Sequence, residues 1–281
     1  ILVMNLLGVG KVSGILIVVV GVAIASLLFL SIASIPQMTT DNMTPFLPFG
    51  TKGLGMTTAL VFVSFAGVTK VAAIAEEIQS PEKNLPRGII VSLVVVTLVY
   101  CTVNFVLSGV FPMEEIEGDL RPIYLLANNL GGKYLAIPFA LLAIVTMMSM
   151  ANAGVLAASR FPFAMSRDHL LPSAIGKIHH KFLTPYWSII LSTLIVGITV
   201  LTLDINKIAK LASAFMIMIY LSENIAVIVL RENRVQWYRP NYKTPLYPYM
   251  QIFGIISLSA LLMTMGNTVM IAFAAIGIPG L

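Results

Sequence analysis

Val61-Phe62-Val63-Ser64-Phe65-Ala66-Gly67-Val68-Thr69-Lys70 is an apolar stretch that breaks its own pattern in the middle. A glycine flanked by small and hydroxyl residues interrupts the run, and a lysine follows it. Charge inside an apolar span is rare and faces a cavity, a partner or the interface. One reading keeps a continuous helix in which Gly67 is a flexible position and Lys70 snorkels. Lys70 lies six residues before the Glu76-Glu77 pair, roughly 9 Å at helical rise, so its ammonium can reach the polar edge. The other reading is an unwound segment whose exposed backbone groups line a site. N–H groups at such a break suit an anionic ligand group, and non-helical backbone at membrane depth is tolerated only beside protein or a water-filled cavity.

The rest of the 281 residues explains why a membrane is the setting. Only 10% of residues are charged and 58% are hydrophobic, against about 25% charged in soluble domains. That excludes a soluble globule, a disordered chain and a nucleic-acid binder. Runs long enough to span a bilayer recur at Gly14–Ile35, Met56–Ala75, Ile89–Val110, Leu135–Ser159, Tyr186–Leu203, Ile208–Leu230 and Leu246–Met265, with a short last run at Asn267–Leu281. We therefore expect an all-α polytopic membrane protein of about eight helices, forming one transmembrane domain over residues 1–281. When the connections are assigned alternately to two sides, eleven Lys and Arg fall on one side and five on the other. The richer side is expected to be cytoplasmic. The chain opens on Ile1 without a signal-peptide pattern, and it is expected to be a piece of a longer protein. Its one cysteine, Cys101, sits in an apolar run, so no internal disulfide forms.

Other polar residues stand in the spans. Glu223 lies eight residues before Arg231, about 12 Å along a helix. A carboxylate at that depth needs a partner or a proton. It reads either as an acceptor for a proton or cation or as a structural hydrogen bond to a neighbouring helix. Thr146, Ser149 and Asn152 follow at i, i+3 and i+6 and share much of one face. Such a face glues helices together or lines a pathway. No metal site, cofactor motif or catalytic set is recognisable: the three histidines lie in one basic stretch, and no phosphate-binding loop is present. Trp237, Tyr238, Tyr242, Tyr247 and Tyr249 fit an interfacial aromatic belt.

Three motifs in order then resemble a known family. Phe65-Ala66-Gly67, with Ala75-Glu76-Glu77-Ile78 and Pro81-Glu82-Lys83-Asn84-Leu85-Pro86-Arg87-Gly88, resembles the sixth helix and following loop of the amino acid–polyamine–organocation permeases. Ala158-Ser159-Arg160 through Met165-Ser166-Arg167-Asp168 to Leu171-Pro172 is similar to the end of their eighth helix. Leu230-Arg231, Tyr238 and Pro240, then Lys243, Pro245, Tyr247 and Pro248, is similar to the stretch after their tenth.

The resemblance implies a twelve-helix fold with inverted repeats of five helices, of which this chain holds helices 5 to 12 and lacks the first four. It implies secondary transport of amino acids by alternating access, coupled to an ion or run as exchange; the compact loops point to a bacterial or archaeal inner membrane. The alternatives are a polyamine or organic amine carrier, a channel-like bundle or a non-transporting membrane subunit. The implied partners are an amino acid, a proton or sodium ion, and the lipid bilayer. Ser64, Phe65, Ala66, Gly67, Val68 and Thr69 would form the unwound segment that holds the substrate head group, with Phe65 as a gate. Many proton-coupled relatives carry a lysine in helix 5, and Gly14–Ile35 has none. Lys70 and Glu223 stand where relatives are usually small or apolar, which makes them the coupling candidates. Ser149 and Asn152 are the pathway candidates.

Overall fold

A computed structural model describes residues 13–67, 71, 78–179, 184–233, 238, 240, 242 and 244–266. The described residues are helical and contain no strand. The helices are α1 (Ser13–Ser34), α2 (Gly50–Val61), α3 (Pro81–Val110), the single turn α4 (Met113–Ile116), α5 (Pro122–Arg167), α6 (Tyr186–Thr202), α7 (Ile205–Glu232) and α8 (Tyr249–Thr264). Among the described residues, four stretches are long and apolar enough to cross a membrane: Ile17–Gln37, Pro81–Val110, Pro122–Arg167 and Ile205–Glu232. Their outward faces are apolar as well. Ile17 is 75% exposed, and Val18, Phe29 and Ile32 accompany it on α1. Leu194, Ile198 and Leu201 do the same on α6. Apolar surface on this scale fits lipid rather than water, and the chain is an all-α membrane protein. The last apolar run, Asn267–Leu281, lies outside the described residues.

The chain divides into two compact units. The first comprises Ile1–Phe46 and Val94–Ile198. In it, Val99, Val103, Val106 and Leu107 of α3 form one helical face and share a buried core with Leu30 of α1 and with Leu126, Ala127 and Ala136 of α5. Helix α1 ends in a 3-10 turn at Ile35–Gln37 that contains Pro36. The segment after it is tied back to α3: the Thr39 N–H (2.9 Å) and Asn42 Nδ2 (3.0 Å) both donate to the Gly109 carbonyl. Asn129 Nδ2 donates to Gln37 Oε1 at 3.0 Å. Helix α5 is interrupted at Gly131 and Gly132, whose backbones leave the helical region.

The second unit comprises Leu47–Leu93 and Thr199–Leu281. Helices α2, α7 and α8 pack on one another around Ala59, Ala214, Ile217, Leu221, Leu258, Leu262 and Met265. Ala214, Ile217 and Leu221 recur at helical spacing on α7, as do Leu258 and Leu262 on α8 with Met265 just past its end, so one stripe of each helix is buried. Close approach depends on glycine at two points. A Cβ on Gly55 would lie 3.1 Å from Thr264 Cγ2, and one on Gly254 would lie 3.0 Å from Asn224 Oδ1.

The stretch Pro81–Gly88, which resembles the loop after the sixth helix in the permeases, is helical here: α3 already begins at Pro81. Proline at the first helical position gives up an N–H that would have no partner there. The Ser80 carbonyl accepts from both the Lys83 and Asn84 amides at 3.1 Å, which closes the first turn. Pro86 then sits inside the helix, close enough to its start to break little of the ladder.

Candidate substrate segment at the helix break

Helix α2 stops at Val61, and the chain tightens into a 3-10 helix over Phe62–Phe65. The Ala66 N–H closes the last turn on the Val63 carbonyl at 3.1 Å. Bonding from residue i to i−4 gives way to bonding from i to i−3, and backbone groups at the changeover lose their helical partners. The Leu60 carbonyl and the Val63 N–H are two of these groups. One hydroxyl serves both: Ser213 Oγ on α7 donates to the Leu60 carbonyl (2.6 Å) and accepts from the Val63 N–H (3.3 Å). Ser213 is fully buried. A side chain inserted into the backbone ladder is one of the recognised causes of a sharp change in a helix. The break is supported further by Phe62, whose ring lies 6.2 Å from that of Tyr220 on α7, tilted by 57°.

The expected substrate residues fall on and just beyond this segment. Ser64 and Gly67 are exposed, whereas Phe65 and Ala66 are half-buried. A Cβ on Gly67 would meet nothing within 4 Å, so open space adjoins the backbone there. Val68, Thr69 and Lys70 lie outside the described residues. Glu223 is on α7 in the same unit, ten residues beyond Ser213, about 15 Å along the helix. It is exposed at the surface of the chain and has no ion pair among the described residues. The neighbouring Asn224 is half-buried and spends its amide on its own helix, donating to the Tyr220 carbonyl at 2.8 Å.

Ser149 and Asn152 are on α5, in the other unit. Ser149 is half-buried and Asn152 buried. Nearby hydroxyls of α5 bond within the helix: Thr146 Oγ1 to the Ala143 carbonyl (2.8 Å) and Ser159 Oγ to the Leu156 carbonyl (2.7 Å). At the far end of α7, Tyr247 donates to Glu232 Oε1 at 2.9 Å, and the Arg231 guanidinium lies 4.5 Å from its ring centre. This aromatic residue clasps the α7–α8 connection. Among the described residues, no three His, Cys, Asp or Glu side chains gather as a metal site would require.

Ser213 was not among the residues that the sequence singled out. Its signal is faint: Ala212-Ser213-Ala214 is a run of small residues of the kind that lets two membrane helices approach closely.

The family model described as amino acid permease matches residues 1–279. The chain belongs to the amino acid permease family. The chain is 32% identical over 250 residues to the branched-chain amino acid permease BcaP of Bacillus subtilis, covering 88% of this chain and 53% of that protein. It is also 32% identical over 238 residues to the methylthioribose transporter of the same organism, with 84% and 51% covered. Against the vacuolar cationic amino acid transporter 8 of Arabidopsis thaliana it is 25% identical over 210 residues, with 75% and 35% covered. The chain spans about half the length of the two bacterial relatives and about a third of the plant one.

Proposed function

We propose that the protein is part of a secondary transporter that carries amino acids across a bacterial cell membrane by alternating access. The observation that carries this reading is the break in α2 between Val61 and Ala66. Backbone polar groups without helical partners are costly in a membrane unless they are answered. Here Ser213 answers the two groups at the changeover, and Ser64 and Gly67 beside them are exposed, so non-α backbone is held next to a surface that a ligand can reach. An amino acid head group suits it: carbonyls accept from the ammonium, and N–H groups donate to the carboxylate. In this reading Ser64, Phe65, Ala66, Gly67, Val68 and Thr69 form the head-group segment of an inverted-repeat fold. Ser149 and Asn152 line the pathway, and Lys70 and Glu223 balance charge or carry the coupling proton.

The test is uptake of pooled labelled amino acids into proteoliposomes holding the complete natural chain, with and without an imposed pH gradient. Saturable uptake raised by the gradient is expected, and neutralising Lys70 or Glu223 should abolish that increase in at least one of the two variants. Proton dependence unchanged in both removes them from the coupling role, and no uptake of any amino acid by folded protein overturns the reading. A second reading, carriage of another small polar solute, draws support from the methylthioribose transporter, which matches this chain at the same identity as the branched-chain permease. Uptake of labelled methylthioribose in place of amino acids would favour it.

A further inference from the structure

We propose that Ser213 is a positioning residue that holds the α2 break open, so that the state of α7 sets the geometry of the head-group segment. The inference rests on the transport reading for its kinetic consequence but not for its structural one. Three observations carry it. Ser213 Oγ stands between the Leu60 carbonyl (2.6 Å) and the Val63 N–H (3.3 Å), using its donor on one and a lone pair on the other. Its residue is fully buried, so water does not replace the hydroxyl readily. The two backbone groups flank the point where α-helix becomes 3-10 helix, one residue short of Ser64.

Other hydroxyls described on α7 and α8 behave differently. Ser222 bonds the Met218 carbonyl (2.9 Å), and Ser257 bonds the Phe253 carbonyl (2.7 Å), each within its own helix. Such bonds tie a helix to itself. The Ser213 bonds join two helices across 150 and 153 residues of sequence. Any shift or rotation of α7 along α2 must stretch or break them. Without the hydroxyl, the Leu60 carbonyl and the Val63 N–H must find partners within α2, and the segment moves toward a regular helix. A regular helix bonds from i to i−4 instead of i to i−3, so the segment from Leu60 to Ala66 would present its residues in a different register.

The test compares Ser213→Ala with Ser257→Ala in the complete natural chain, reconstituted in lipid. Deuterium exchange is read over peptides covering Leu60 to Ala66, and leucine uptake is read as KM and Vmax. Leucine is the probe because one relative is a branched-chain permease. For Ser213→Ala, exchange should change only in the peptides covering 60–66. KM should rise about tenfold, the scale of one lost buried hydrogen bond, with Vmax within about twofold. Ser257→Ala should alter neither. Exchange in 60–66 equal to that of the natural protein overturns the proposal, as does a change spread over all of α2 and α7 together with lower thermal stability and unchanged KM. If Ser213→Ala does not fold, Ser213→Cys replaces it. The thiol keeps a weaker donor in nearly the same volume, and the same two exchange outcomes decide. The exchange measurement needs no substrate, so a natural protein that fails to take up leucine tells against the transport reading while the exchange result still judges Ser213.

Discussion

Among the described residues two helices, α2 and α5, are interrupted, and they are interrupted by different means. In α5 the break is made by the backbone itself. Gly132 has φ 63° and ψ −163°, a region that side-chain-bearing residues essentially do not occupy. In α2 the break needs no such residue: Val61 and Phe62 keep ordinary right-handed angles, and the ladder is interrupted by the Ser213 hydroxyl arriving from α7. The α5 break is therefore a property of its own dipeptide. The α2 break is a property of a contact, and a contact can be made and unmade. A break built from glycine suits a fixed corner, whereas a break held by a neighbouring helix suits a segment whose form can follow that helix.

The largest expected effect separates these two mechanisms. Gly132→Ala places a Cβ in a forbidden backbone region, at a cost of about 3 kcal/mol. A clear fall in the thermal unfolding midpoint in detergent is the expected result. Gly131→Ala should cost less, about 1 kcal/mol, because its φ of −144° is not a left-handed one. Its Cβ would sit 3.0 Å from Leu135 Cβ, so that side chain must yield slightly. If both variants lose stability equally, the α5 break is set by crowding rather than by glycine's backbone freedom, and the contrast with α2 fails.

The same contrast explains what the sequence made legible. The all-helical membrane class follows from apolar runs almost free of charge, such as the stretch that becomes α1, and composition alone dictates it. The start of α3 was harder to read, because proline ends a helix in its interior but opens one at its first position, and only the Ser80 carbonyl geometry tells the two apart. The interruption in α2 is suggested by Ser64, Gly67 and Lys70. The residue that satisfies it is not, because Ser213 lies about 150 residues away and looks like any small residue in a membrane helix. Glu223 shows the complementary limit. Its place in the sequence marks it as unusual, but periodicity does not say which surface it reaches, and on the folded chain it is exposed.

The smallest expected effect on stability sharpens the comparison most. Gly67 adopts no left-handed angle, and a Cβ there would touch nothing within 4 Å. Gly67→Ala should therefore change stability by no more than about 0.5 kcal/mol, and reduced freedom of the unfolded chain would favour the alanine. If the open space beside Gly67 is where a substrate head group meets the backbone, the added methyl group occupies that space, and uptake should fall although the protein is as stable as before. This is the reverse of Gly132→Ala, where stability falls through the backbone alone. Uptake that survives Gly67→Ala unchanged would move the head-group segment away from Gly67, toward the backbone around Ser64 that Ser213 anchors.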